Sequence, residues 1–168
     1  LQITAGWELP FGKGKSLATS GFASKLLGGW QLNTLTSFMT GTPVRVTSDG
    51  GSLRLPGSTQ RADQVKAEVA TLGGIGRGVP YYDPFAFERV TEARFGTAAF
   101  NSLRGPEFFN TDLGLFRQFT VNERVGFQFR AEYFNWTNTP KFANPSSGIN
   151  NRVTNADGSF RGGVFEVT

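Results

Sequence analysis

Asp83, Glu88 and Glu92 are the carboxylates whose types and spacing could do chemistry in this chain. Two carboxyl groups flanking a sugar linkage hydrolyse it, one as acid and one as base or nucleophile. No sequence pattern brings these three into a common cleft, and Glu88-Arg89 and Glu92 near Arg94 read as charges on a loop. Gly73-Gly74-Ile75-Gly76-Arg77-Gly78 could cradle a phosphate, but no Lys-Ser or Lys-Thr follows and no strand–helix setting surrounds it. A calcium loop counted from Asn155 would place Glu166 at its twelfth position. Phe160 then occupies the sixth position, where the sharp turn needs glycine, so Asn155-Ala156-Asp157-Gly158-Ser159 reads as a turn. Asn135-Trp136-Thr137 fits a glycosylation sequon.

The 168 residues include no His and no Cys. That removes the usual zinc, copper and haem ligands, disulfides, and most nucleophile–base pairs. The expectation is a protein that is not an enzyme and has no metal site and no cofactor. Tyr81, Tyr82, Asp83, Phe85 and Phe87 are then the best ligand-binding candidates, because exposed loop aromatics stack on sugars or apolar ligands. The competing reading is that they pack a long loop against itself.

The elements that must position these residues are strands. In residues 109–120, Phe109, Thr111, Leu113, Leu115 and Phe119 share one face, opposite Asn110, Asp112, Gln118 and Thr120, with Gly114 and Phe116 among the latter. After the polar turn Val121-Asn122-Glu123-Arg124, Val125, Phe127, Phe129, Ala131 and Tyr133 alternate with Gln128, Arg130 and Glu132. Period-2 alternation gives each strand one apolar and one polar face. Residues 111–119 and 125–133 supply the about 9–11 residues that a tilted membrane-spanning strand needs. Aromatics gather near the strand ends, at Phe108, Phe109, Phe119, Tyr133, Phe134 and Trp136, as in the girdles of outer-membrane barrels. The same hairpin also suits a soluble antiparallel sandwich.

Two further strands alternate in the same way, Leu1, Ile3, Ala5, Trp7 and Leu9 in one and Trp30, Leu32, Thr34, Thr36 and Phe38 in the other. Between them Phe22, Leu26 and Leu27 are spaced for one helical turn. The links alternate in length: residues 10–29 and 120–124 are short, whereas residues 43–107 and 137–164 are long. Up-and-down barrels carry short periplasmic turns and long extracellular loops, while structureless loops beyond about 15 residues are rare in compact soluble domains. High Gly and Phe, at 22 and 17 residues, suits sheet with long loops better than a helical enzyme.

The net charge of +4 raises the question of nucleic acid, but the 17 basic residues are scattered from Lys13 to Arg161 without a run or a helix to display them. The expectation is no nucleic-acid partner. No stretch approaches the about 18 apolar residues of a transmembrane helix. No signal peptide opens the chain, and Leu1-Gln2-Ile3-Thr4 begins in mid-strand, so a piece of a larger protein is expected.

Gly28-Gly29-Trp30-Gln31-Leu32-Asn33 with Ser37 to Gly41-Thr42-Pro43 resembles a stretch of TonB-dependent outer-membrane receptors of the Oar-like type, many of which carry a carboxypeptidase-regulatory-like domain. Tyr82-Asp83-Pro84-Phe85-Ala86-Phe87, Phe95-Gly96-Thr97-Ala98, Leu103-Arg104-Gly105-Pro106 and Phe108-Phe109-Asn110 are similar to later blocks of that family. So are Phe127-Gln128-Phe129-Arg130-Ala131-Glu132 and Thr137-Asn138-Thr139-Pro140, and the blocks run in order from Leu1 to about Phe165. The resemblance implies a barrel of about 22 strands around a plug. It also implies TonB as a partner through an N-terminal part that this sequence lacks, and uptake or surface binding of a nutrient, with adhesion as a further role.

The expectation is therefore an all-β chain, a fragment of an antiparallel up-and-down transmembrane β-barrel with four strands in residues 1–168 and long extracellular loops, in the bacterial outer membrane. Plug, TonB box, early strands and final closing strand are expected to lie elsewhere. Leu113, Leu115, Val125, Phe127, Phe129 and Tyr133 are expected to face lipid. Asn110, Asp112, Gln128, Arg130 and Glu132 are expected to line the lumen. The cargo is open among small molecules, oligosaccharides and peptides. The alternative is a soluble β-sandwich that binds carbohydrate or mediates adhesion.

Overall fold

The computed structural model describes residues 1–55 and 57–168. Its elements run β1 (Gln2–Glu8), α1 (Gly21–Leu27), β2 (Trp30–Met39), β3 (Pro43–Val44), β4 (Thr47–Asp49), β5 (Thr59–Arg61), β6 (Asp63–Gln64), β7 (Phe87–Glu88), β8 (Leu103–Arg104), β9 (Phe108–Asn122), β10 (Val125–Tyr133), β11 (Val153–Thr154) and β12 (Phe160–Gly162). They divide into two compact units, one of residues Leu1–Met39 and Phe108–Pro140, the other of Thr40–Glu107 and Lys141–Thr168.

The first unit is an open antiparallel sheet in the order β1-β2-β9-β10. The four strands are those the alternation predicts, and β9 extends past residues 111–119 at both ends. It does so because β2 keeps pairing with it as far as Met39 opposite Phe108, and β10 as far as Val125 opposite Asn122. The ladders match like faces. Ile3 lies opposite Thr36 and Trp7 opposite Leu32; Leu32 and Thr34 lie opposite Leu115 and Leu113; Ala131 and Tyr133 lie opposite the same two leucines. A slip of one residue would put every side chain on the wrong face, so this register follows from the pattern.

Antiparallel order puts both short links at one end of the sheet. Glu8 pairs with Gln31 and Trp30 with Arg117 there, close to the turn at Glu123 and Arg124. The link from β1 to β2 contains α1, as the spacing of Phe22, Leu26 and Leu27 predicts. Gly28 ends the helix, its N–H reaching Ser24 O at 3.0 Å. A Cβ on Gly28 would lie 2.9 Å from Gly12 Cα and 2.5 Å from Ser24 O, so two glycines in backbone contact close this link.

The second unit shows that the long links of residues 43–107 and 137–164 contain short paired strands. Residues 137–140 belong to the sheet unit, and the remainder folds together through the pairs β3-β8, β4-β5, β6-β7 and β11-β12. Val44, Val46, Ala62, Ala86, Phe87, Ile149, Val164 and Phe165 form its core, each under 5% exposed. Strands of two or three residues carry no readable periodicity, which is why the sequence pattern looks like loop. All the buried apolar side chains described belong to this second unit; the four-stranded sheet has none.

Candidate functional site

The sheet presents two chemically distinct faces. Leu113, Leu115, Phe127, Phe129 and Tyr133 lie on one, with Ile3, Trp7, Trp30, Leu32 and Phe38. Val125 also falls on this side of β10, next to a register shift at Gly126. Phe127 is 62% exposed, Tyr133 59%, Trp7 57% and Phe129 47%, so within this unit the apolar face is bare at these residues. Asn110, Asp112, Gln128, Arg130 and Glu132 lie on the opposite face with Thr4, Glu8, Gln31, Asn33 and Ser37.

The polar face is internally bonded. Arg130 pairs with Glu132 and stacks over the Phe116 ring at 5.2 Å. Phe116 is an apolar residue on this side, and its ring covers Gly114, where a Cβ would lie 2.6 Å from Phe116 Cε2. Asp112 Oδ1 accepts from Asn110 Nδ2 and from the Asn135 main chain, both at 2.8 Å. Asn135 in turn clasps Thr139 through both its amide atoms, at 2.9 and 3.1 Å. The sequon residue is thereby the closing element of the turn that follows β10.

In the second unit the proposed aromatic cluster divides. Phe87 is fully buried and Tyr82 7% exposed, both in the core, so these two are not the exposed loop aromatics expected of them. Tyr82 Oη donates to Arg104 O at 2.6 Å and accepts from Arg104 N at 3.1 Å. Phe85 is half-buried beneath the Arg152 guanidinium, 5.2 Å from its ring. Asp83 is half-buried too. Burial raises its carboxyl, but bonds from Lys66 Nζ at 2.5 Å and Phe85 N at 2.9 Å outweigh that and hold it below the usual range. Tyr81 keeps part of its surface and lines a 430 Å³ hollow with Tyr82, Arg104 and Glu107. Burial, with Tyr82 and Glu107 nearby, pushes its phenol above the ordinary value.

The remaining candidate chemistry is tied up structurally. Glu88 pairs with Arg152 at 2.8 Å, and Glu92 with Arg94 at 2.7 Å. Gly76 and Gly78 donate main-chain N–H groups to Val167 O and Glu166 Oε1, at 2.9 and 2.7 Å. Asp157 closes its own turn on Ser159. Among the described residues no three His, Cys, Asp or Glu side chains are placed to hold a metal ion.

Two features escaped sequence reasoning. One is a 330 Å³ cavity between Arg45, Gln60, Phe95 and Phe100, whose residues lie far apart in the chain. The other is Arg117, which the alternation itself places on the apolar face of β9. It is 8% exposed, stacks on Trp30 and Phe119 at 5.3 and 4.2 Å, and donates to the main-chain oxygens of Lys25 and Leu26.

A sheet of long antiparallel strands with one bare apolar face, short links at one end and long ones at the other, has the organisation of a β-barrel wall. Residues 1–162 match the family model for the outer membrane beta barrel domain, and the chain belongs to that family. Its place is accordingly the bacterial outer membrane. No curated protein and no solved structure matches the chain.

Proposed function

We propose that this barrel domain belongs to a TonB-dependent receptor of the Oar-like type, which binds a nutrient at the cell surface and takes it up at the expense of the inner-membrane proton gradient. The observation that supports this is the way the motif blocks coincide with the elements. Gly28 to Asn33 opens β2, Leu103 to Asn110 leads through β8 into β9, Phe127 to Glu132 lies in β10, and Thr137 to Pro140 begins at the last residue of the turn after it. The apolar face is the lipid-contacting surface in this reading, and Asn110, Asp112, Gln128, Arg130 and Glu132 line the lumen.

The role is binding and transport, without catalysis, cofactor or nucleic acid. The folded loop unit supplies the first contact for an incoming small molecule, oligosaccharide or peptide. The hollow beside Tyr81 combines phenol, guanidinium and carboxylate groups, a mixture suited to orienting polar ligands.

Cells expressing or lacking the full-length protein, offered labelled oligosaccharide and peptide pools with and without a protonophore, test the proposal. Protein-dependent accumulation that collapses with the proton gradient is expected. Accumulation that survives the protonophore would reject energy coupling.

A further inference from the structure

The link between β1 and β2 carries a feature that transport does not use. Its helix α1 is fastened to the apolar face of the sheet at the short-link end: Arg117 donates to the carbonyls of Lys25 and Leu26, and Trp30 Nε1 donates to Leu26 O at 3.2 Å. Both side chains project from the apolar face, so they hold the C-terminal end of α1 against it. What α1 leaves uncovered is apolar: Phe22 is 79% exposed, Leu26 55% and Leu27 44%, with Leu17 at 52% in the preceding loop.

Another face of the same helix, through Gly21, Ser24, Lys25 and Gly28, lines a 620 Å³ basin together with Lys13, Lys15, Thr19 and Arg117. Among the described residues no carboxylate lines it. Lys15 is paired with Glu8 at 2.6 Å, and Arg117 turns Nη1 and Nη2 to the Leu26 and Lys25 carbonyls. Among the described residues Lys13 and Lys25 have no ion-pair partner, and both are exposed. Cations and hydroxyls at the rim of a bare apolar surface match a molecule that is anionic at one end and hydrocarbon at the other.

We infer that this basin binds the headgroup phosphate of a glycerophospholipid of net negative charge in the leaflet at the short-link end of the barrel, with Phe22, Leu26 and Leu27 lying among its acyl chains. Lys13 and Lys25 neutralise the phosphate, and Thr19 and Ser24 donate to its oxygens. A soluble phosphate would satisfy the cations but leave the apolar side chains in water, so the lipid is the better complement. The inference rests on the lipid-facing orientation of the apolar face and is independent of energy-coupled uptake.

The full-length protein, inserted into phosphatidylcholine nanodiscs containing spin-labelled phosphatidylglycerol, provides the test. The motionally restricted lipid fraction gives the affinity. K13Q/K25Q is expected to weaken association about thirtyfold, since each of the two surface lysines near an anionic headgroup contributes about 1 kcal/mol. K13R/K25R should retain it, R54Q/R77Q should leave it unchanged, and inorganic phosphate should not displace the lipid. Equal binding by K13Q/K25Q and R54Q/R77Q would overturn the proposal, as would displacement by inorganic phosphate. Heat-modifiable gel mobility reports whether each variant is folded; if K13Q/K25Q is not, K13Q alone, a loop change, carries the same comparison. Failure of the protein to enter nanodiscs would instead reject the barrel reading, a distinguishable result.

Discussion

Arg152 meets Glu88 as a two-pronged pair, its Nη2 lying 2.8 Å from each carboxylate oxygen, while Nη1 donates to the Pro84 and Phe87 carbonyls at 2.9 Å. One guanidinium thus ties the segment after residue 148 to the strand β7, and the ring of Phe85 covers it. The Arg152 side chain is only 16% exposed, whereas that of Glu88 is 45% exposed, so the ion pair is partly open to water.

Replacing Arg152 with Ala should loosen the second unit by about 2–4 kcal/mol, because two main-chain carbonyls and a carboxylate lose a half-buried partner together. Arg152→Lys should recover little of this, since a single ammonium cannot reproduce the planar fork. Hydrogen exchange of residues 84–88 and 149–154 in the full-length protein should rise in both variants. Unchanged protection would show that the pair contributes nothing.

Acid should weaken the same unit through Asp63. Its bonds from Arg94, at 2.7 and 2.8 Å, hold its carboxyl below the usual range, aided by Thr97 N against the cost of burial. A group with a depressed folded value stabilises above the unfolded carboxyl pKa of about 3.9 and loses that contribution as pH falls through the lower folded value. Protease resistance of the loop unit should therefore decline below about pH 4. Asp63→Asn should be less resistant at neutral pH and show a shallower acid decline; an identical pH profile would refute the role of this pair.

How far the sequence carried differs between the two units for a physical reason. β2 and β10 match the alternation residue for residue, and α1 falls where Phe22, Leu26 and Leu27 indicate a turn, because long strands and helical turns repeat their pattern locally. The core of the second unit joins Val44, Phe87 and Phe165, residues set together by long-range closure rather than by local period. Phe87 and Tyr82 consequently read as exposed loop aromatics although they are buried. The Gln60 and Phe100 cavity was illegible for the same reason. Arg117 was legible in principle: its odd position on β9 puts it on the apolar face, and only its helix partners lay beyond reach of the pattern.

Tyr82 gives a sharper probe of that core. Its buried hydroxyl both donates to and accepts from the main chain of Arg104, at 2.6 and 3.1 Å. Tyr82→Phe keeps the ring against Phe165, 5.9 Å away, but leaves one N–H and one C=O without this partner. The cost should be about 1–3 kcal/mol, read as faster exchange of the Arg104 amide. A ring-deleting Tyr82→Ala should cost more, through the cavity it opens; equal effects would mean the hydroxyl is inert.

The two faces of β10 make the most direct prediction about the membrane. Phe129 and Gln128 are neighbours on one strand, paired with Arg117 and Gln118 on β9, and both are well exposed within the sheet unit. Exposure alone would make them equally tolerant of charge. In a barrel wall they differ, because a cation on the lipid side costs free energy at every depth, up to about 2–4 kcal/mol at the midplane and less toward the interface, while lumen substitutions alter selectivity instead. Phe129→Arg should therefore reduce assembled, heat-modifiable protein in the outer-membrane fraction. The Trp30 ring, 5.5 Å from Phe129, loses its edge contact in the same variant. Phe129→Ala controls for that loss and should assemble well, and Gln128→Arg should assemble nearly as the parent does. Equal assembly of Phe129→Arg and Gln128→Arg would reject the assignment of the apolar face to lipid.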